Sequence, residues 1–203
     1  MNNQLFEAIE RHNTDLVAKL LAAGADPNSN QREFPAFTAL QAAIEELEHG
    51  GSLKVLEVLM SHGADVNRWD EARDSTPLLM AIFRNQFTAV DLLLAAGADP
   101  NVRGAEGDSP LRWCAERSDL NTVKLLLAHG AARTIDSVGG ERGMTALGLA
   151  CGSLNLPMVE LLLDAAADPE VTDDGLRTAF ERLPPRTREN AATWNLISEI
   201  LGR

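Results

Sequence analysis

Four histidines, two cysteines and one dense run of glutamates are the residues of this sequence best suited to catalysis or metal binding. Paired carboxylates such as Glu45, Glu46 and Glu48 can act as general acid and base when their environments separate their pKa values. Histidine and cysteine side chains bind metals or serve as bases and nucleophiles. However, the sequence contains no CxxC pair, no glycine-rich phosphate loop after a strand and no recognisable Ser-His-Asp set. We therefore predict no catalytic residue, no cofactor and no metal site.

Each of these residues also has a structural interpretation. His62 and His129 directly precede a glycine that ends a helix, where the helix dipole favours a partly charged imidazole. Cys114 and Cys151 fall among small helix-packing positions, which predicts buried, reduced thiols. The glutamate run is either a solvated helix face or a recognition site for a cationic surface, and the sequence leaves both open.

The charge balance limits the class of partner. Thirty acidic against eighteen basic side chains give a net charge of −12, which disfavours nucleic acids and anionic membranes and suits a basic protein. No basic, apolar leader and no apolar run of membrane-spanning length is visible. We expect a cytoplasmic protein that is a monomer.

The elements that must position these residues repeat along the chain. A Gly-Ala-Asp-Pro-Asn motif at 24–28 recurs four more times, in full or weakened form, at 63–67, 97–101, 130–134 and 166–170. A hydroxyl residue that can cap a helix precedes each of the last four copies. These residues are Thr38, Thr76, Ser109 and Thr145. A second, more apolar helix then follows, so that one unit is predicted to be helix, turn, helix and projecting loop.

This pattern resembles the ankyrin repeat, whose Thr-Pro-Leu-His-x-Ala and Gly-Ala-Asp-Val-Asn motifs are matched most closely by residues 76–101. The resemblance implies a mainly α solenoid of stacked helix-turn-helix units with projecting loops or short β-hairpins, in about six repeats including caps. The expected boundaries are 1–33 (N-terminal cap), 34–71, 72–104, 105–140, 141–172 and 173–203 (C-terminal cap). In the last of these, we expect a first helix containing Asp174, Leu176, Ala179 and Phe180.

Two departures from the family pattern stand out. The histidine of the first motif is replaced in every copy, by Gln41, Leu79, Arg112 and Gly148, which leaves open the hydrogen bond it usually makes between neighbouring repeats. About four extra residues around 47–50 should lengthen the first helix of the second repeat or the turn after it.

The resemblance also implies a non-enzymatic module that binds a protein partner through a concave face and loop tips. Carried over by register, the candidate contacts are Phe34, Phe37, Glu45, Glu46, Trp69, Arg73, Phe83, Arg84, Glu106, Asp108, Glu116, Arg117, Arg142 and Met144. The aromatic and arginine members are the best candidates for strong contacts, because these types dominate interface energies. The loop aromatics could instead fold back onto their own loops. The alternative function is a bacterial immunity or inhibitor protein that neutralises a basic toxin or enzyme.

Overall fold

The computed structural model describes residues 1–32, 36–70, 75–104, 107–140 and 143–202, and in these ranges the chain is mainly helical with no sheet. In the described parts of the projecting loops, isolated antiparallel bridges join Asn30 to Thr38 and Gly139 to Met144. The chain forms two compact units, Met1–Asp99 and Pro100–Arg203, called here the N-terminal and C-terminal units.

The N-terminal unit consists of three helix pairs. Its helices are α1 (Asn2–Glu10), α2 (Thr14–Ala22), α3 (Ala39–Glu46), α4 (Leu53–Ser61), α5 (Pro77–Phe83) and α6 (Phe87–Ala95). The first helices α1, α3 and α5 pack side by side, and the second helices α2, α4 and α6 form a parallel row behind them. The core between the rows is made of side chains such as Leu5, Ile44, Leu59 and Leu93, each at most 1% exposed.

The C-terminal unit continues the same pattern and then departs from it. Two helix pairs, α7 (Pro110–Glu116) with α8 (Leu120–Ala128) and α9 (Ala146–Gly152) with α10 (Leu156–Asp164), precede a last helix, α11 (Ala191–Ile200). Short 3₁₀ turns cover Ala131–Thr134 and Phe180–Arg182. The repeated helix pairs confirm the ankyrin-like solenoid class predicted from the sequence.

The expected first helix of the C-terminal cap is wrong. Leu176 lies at a φ of +57° and is 80% exposed, and only the 3₁₀ turn Phe180–Arg182 forms before the two prolines. The physical reason is the Asp173 carboxylate, which accepts hydrogen bonds from the backbone N–H groups of Gly175 and Arg177 and holds the chain in a turn. Arg182 returns to pair with Asp173, which fastens this turn.

The predicted helix starts are confirmed. Thr38, Thr76, Ser109 and Thr145 each accept a hydrogen bond from the backbone N–H three residues later. At the second and third of these starts, Pro77 and Pro110 occupy the first helical position, where the missing N–H has no partner to lose.

The second helices end in a left-handed residue, which is glycine in four copies and alanine in the fifth. Gly24, Gly63, Gly97 and Gly130 have φ between +88° and +93°, whereas Ala166 is forced to +68°. Replacing Ala166 by glycine should therefore raise the free energy of unfolding by about 0.5–1 kcal/mol, since a Cβ is disfavoured in this conformation. Urea denaturation measures this gain. The converse change, Gly130→Ala, meets no atom within 4 Å and should destabilise through its backbone alone; equal stability of all three proteins would refute the explanation.

Asparagine side chains join successive loops. Asn28 accepts from the N–H of Asp65 at 2.7 Å and donates to the carbonyl of Gly63 at 2.9 Å. Asn67 makes the same pair of bonds to Asp99 and Gly97. In the C-terminal unit, Asn101 donates to the carbonyl of Gly130 at 2.9 Å.

At the next connection between loops, Asp136 takes the place of the asparagine, so a carboxylate replaces the amide. Asp136 accepts from the N–H of Asp168 at 2.9 Å, but an ionised carboxylate has no hydrogen to donate to a carbonyl. Burial raises the pKa of the Asp136 carboxyl above its ordinary value of 3.8, and the nearby Asp168 carboxylate adds to this. The ionised form is therefore disfavoured in the folded protein.

The variant Asp136→Asn should restore the donor and raise the free energy of unfolding at neutral pH by about 1 kcal/mol. Because folding raises the pKa of Asp136, ionisation of this carboxyl lowers the stability of the wild type at pH values above the raised pKa. At pH values low enough to protonate Asp136 in both the folded and the unfolded protein, this loss of stability disappears. The advantage of the variant should therefore shrink as pH falls through the raised pKa toward 3.8. Denaturation curves of both proteins across this range test it, and a pH-independent difference would contradict the account.

Candidate functional site

The turns between first and second helices of the N-terminal unit carry a set of ion pairs. Arg84, which directly follows α5, contacts Glu45 at 2.6 Å and Glu48 at 3.2 Å. His12, in the turn after α1, lies 2.8 Å from Glu46 through its Nε2. These contacts join α1, α3 and α5 across the row, and we call this surface, formed by residues 10–13, 45–54 and 83–87, the turn edge.

The extra residues of the second repeat build part of this edge. They form a 3₁₀ turn, Leu47–His49, that ends at Gly50 with a φ of +94°. Gly51 must remain glycine because a Cβ there would lie 2.7 Å from the Glu46 carbonyl oxygen. The turn places Glu48 against Arg84, so the insertion supplies the second carboxylate. The prediction of a lengthened turn is confirmed.

The predicted contact residues of the N-terminal unit have different exposures. Phe83 is 36% exposed at the end of α5, and the Arg84 side chain is 37% exposed. Glu45 is half-buried in its ion pair with Arg84, and Glu46 is half-buried beside His12. Phe37 and Trp69 are also half-buried, which is intermediate between the projecting and folded-back alternatives. Phe34 and Arg73 lie outside the described residues.

Of the predicted contacts that the structure describes in the C-terminal unit, Glu116 and Arg117 are exposed. Asp108 is 8% exposed and Met144 is 7% exposed, so neither presents a free side chain to a partner, and both leave the candidate set. The reason for Asp108 is its pairing with Arg112. Met144 is held by its bridge to Gly139 beside the buried start of α9. Glu106 and Arg142 lie outside the described residues.

Arg112 is a buried cation held by two carboxylates. It is 3% exposed, and its guanidinium pairs with Asp108 and, at 3.2 Å, with Glu116. A Cβ at Gly140 would overlap this guanidinium, and one at Gly139 would lie 3.0 Å from the Asp108 carboxylate. The two glycines therefore leave room for the ion pair, which stabilises the loop and does not form an exposed site.

Two residues of the N-terminal unit, Gln41 and Phe87, have roles that were not predicted from the sequence. Gln41 is buried, closes a capping box with Thr38 and donates to the backbone carbonyl of Ser75 at 3.0 Å. It thus links neighbouring repeats in place of the family histidine. The signal available in the sequence was its amide, which can donate such a hydrogen bond. Phe87 opens α6 and is 53% exposed, although its apolar type favours burial.

The described residues contain no arrangement suited to metal chemistry. No group of three or more histidine, cysteine, aspartate or glutamate side chains in these ranges could hold a metal ion. Burial raises the pKa of Cys114 and Cys151 to about 12, so both remain protonated thiols and poor nucleophiles. Within the same ranges, no helix has the length and hydropathy required to cross a membrane.

The comparisons with known proteins agree with this architecture. Among curated proteins, the chain is 33% identical over 140 residues to human transient receptor potential cation channel subfamily A member 1, covering 67% of this chain and 11% of the channel. The matched segment covers 47% of the ankyrin repeat protein FPV031 of fowlpox virus and 43% of an ankyrin repeat-containing protein of Treponema pallidum. The chain thus spans about half or less of the length of the curated relatives it matches.

Two solved structures share the fold. EF0377, an ankyrin repeat protein, superposes with a TM-score of 0.78 at 25% identity, covering 100% of this chain and 98% of the other. A chain in the structure of the Bd0816 predatory endopeptidase from Bdellovibrio bacteriovorus in complex with immunity protein Bd3460 has a TM-score of 0.72 at 22% identity, covering 96% of each chain. At this identity the second likeness concerns the fold alone.

The family model of ankyrin repeats, built from three copies, matches residues 5–104 and 78–173. Ankyrin repeats are protein-interaction modules and are typically non-enzymatic. The matched ranges span most of the chain, and the repeated helix pairs, capped starts and left-handed ends lie within them. This chain therefore belongs to the ankyrin repeat family.

Proposed function

We propose that this protein is a non-enzymatic module that binds a protein partner through the row of first helices in its N-terminal unit and the adjoining loops. The contacts on this row are Phe83 and Arg84, with half-buried Phe37 and Trp69 contributing from the loops. Exposed aromatic and arginine side chains on a rigid support are the groups that most often dominate protein interfaces. We also propose that the protein is cytoplasmic and monomeric, and its two free cysteines fit a reducing compartment.

This proposal rests on the fact that Arg84 is held by ion pairs directly beside the exposed ring of Phe83. Two carboxylates from the neighbouring repeat hold the guanidinium, while the adjacent ring is 36% exposed. A fixed surface loses little conformational entropy on binding, so its contacts contribute more of their energy to affinity. The arrangement supports recognition by shape and charge.

The test is quantitative capture of partners from the cells that make the protein, using the wild type and Phe83→Ala as baits. We expect at least one stoichiometric partner to be retained by the wild type and depleted about fivefold or more with Phe83→Ala, the effect of losing about 1 kcal/mol of binding energy. Ile200→Ala, which shortens an exposed side chain in the C-terminal unit, is the matched control. Equal recovery with all three baits would reject this surface.

A second candidate is an immunity or inhibitor protein that neutralises a basic toxin or enzyme. The net charge of −12 favours it, since electrostatic complementarity speeds association with a cationic partner. The complex with this partner should weaken strongly as salt screens the attraction. A toxin gene beside the gene for this chain would support the assignment, and a partner of acidic or neutral charge would exclude it.

A further inference from the structure

The turn edge of the N-terminal unit carries an exposed aromatic pair. Phe83 ends α5 and is 36% exposed, and Phe87 begins α6 and is 53% exposed. In the part of the chain that the structure describes, no other aromatic residue reaches this degree of exposure. Large rings usually bury in a chain with so few of them, so a pair left at one short turn indicates an interaction surface.

The cation that lies between these two residues in the sequence already has carboxylate partners. Arg84 lies in the turn that separates Phe83 from Phe87, and both of its terminal nitrogens face carboxylates of the preceding repeat, Glu45 and Glu48. Two carboxylates on one guanidinium leave a net negative charge. An acidic partner would have to displace one of them, whereas a cationic side chain can share them.

The surrounding charge has the same sign. The helix ends at this edge carry Glu10, Glu45, Glu46 and Glu48 against Arg11, Lys54 and Arg84. The whole N-terminal unit has fifteen acidic and seven basic side chains, a net −8, while the remaining fifteen and eleven give the C-terminal unit −4. Most of the net negative charge of the protein therefore lies in the unit that presents the aromatic pair.

We propose that the turn edge binds a segment of a basic protein in which a large apolar side chain is flanked by lysine or arginine. The apolar side chain packs on Phe83 and Phe87, and the flanking cations pair with Glu45 and Glu48. This inference rests on the proposed function and adds to it the chemistry of the partner. The inserted turn at 47–51 sets specificity, because it supplies Glu48, which neighbouring repeats lack.

The experiment selects binders from a random peptide library displayed on phage, with the full chain as bait. We expect the recovered peptides to be net positive and to place a large apolar residue beside lysine or arginine. Synthetic copies should bind Phe83→Ala/Phe87→Ala about tenfold more weakly than the wild type. They should also bind several-fold more weakly to Glu48→Gln, and on raising salt from about 50 to about 300 mM.

The matched control is Leu196→Ala/Ile200→Ala, which removes an exposed apolar pair from α11, and it should leave the affinity unchanged. All of these changes are at exposed or half-exposed side chains, so thermal denaturation should remain near that of the wild type. Acidic or neutral peptides, equal binding to the aromatic variant, or no recovered binder would each overturn the inference. If the selection fails while Phe83→Ala still loses its cellular partner, protein binding stands and only the partner class is wrong.

Discussion

Leu126→Arg is expected to unfold most of the C-terminal unit. Leu126 is fully buried in α8, which packs against both α7 and α10. Placing a cation there removes apolar contacts and buries an unpaired charge, at a cost of about 4 kcal/mol or more. Since each repeat is stabilised by its neighbours, the loss should spread beyond α8.

Circular dichroism during urea denaturation measures this effect through the helical signal and its midpoint. Ala128→Arg is the matched control, because this position on the same helix is exposed and close to a C-terminus that favours cations. The control should retain the wild-type curve. A midpoint unchanged by Leu126→Arg would show that the stacking register is wrong.

Asp108→Ala is expected to destabilise the C-terminal unit by about 3–5 kcal/mol, because it leaves the buried Arg112 charge without its closest partner. The remaining partner, Glu116, has a side chain that is 49% exposed and pairs with Arg112 less closely. A residue that only contacted a protein partner would leave the stability of the free chain unchanged. Urea denaturation therefore distinguishes the structural role from the contact role first predicted for Asp108.

The preceding repeat provides a matched double variant. Ser75 and Leu79 occupy the positions that correspond to Asp108 and Arg112, so Asp108→Ser/Arg112→Leu installs a pair that this chain already uses. Removing both charges together should recover most of the stability that Asp108→Ala loses, since apolar replacement of a buried ion pair is often neutral. If the double variant were less stable than Asp108→Ala, the unpaired charge would not be the cause.

The repeating elements could be predicted from the sequence because they depend on local chemistry. Within one repeat, Thr76 and Pro77 specify the start of the first helix and Gly97 specifies the end of the second, and these signals recur in register. The prediction of a first helix in the C-terminal cap was wrong because local chemistry also decides the structure there. Asp173 directs its carboxylate to nearby N–H groups, and this local competition outweighs the apolar spacing of 174–180.

The surface could be predicted only in part, because register gives a position but not the direction of a side chain. Register placed both Asp108, in a loop, and Glu116, at the end of α7, on the predicted contact surface. In the structure, however, Asp108 is buried against Arg112 and Glu116 is exposed. Likewise, Glu48 and Arg84 are 36 residues apart, and their contact depends on the path of the inserted turn. Such pairings require the packed structure.

Hydrogen exchange on the complex with a captured partner shows whether this protein acts by presenting the first helices of its N-terminal unit to another protein. Bound partner should slow the exchange of backbone N–H groups in residues 39–51 and 77–87 relative to the free chain. Protection confined to the C-terminal unit, or no change in these two segments at saturation, would contradict the account.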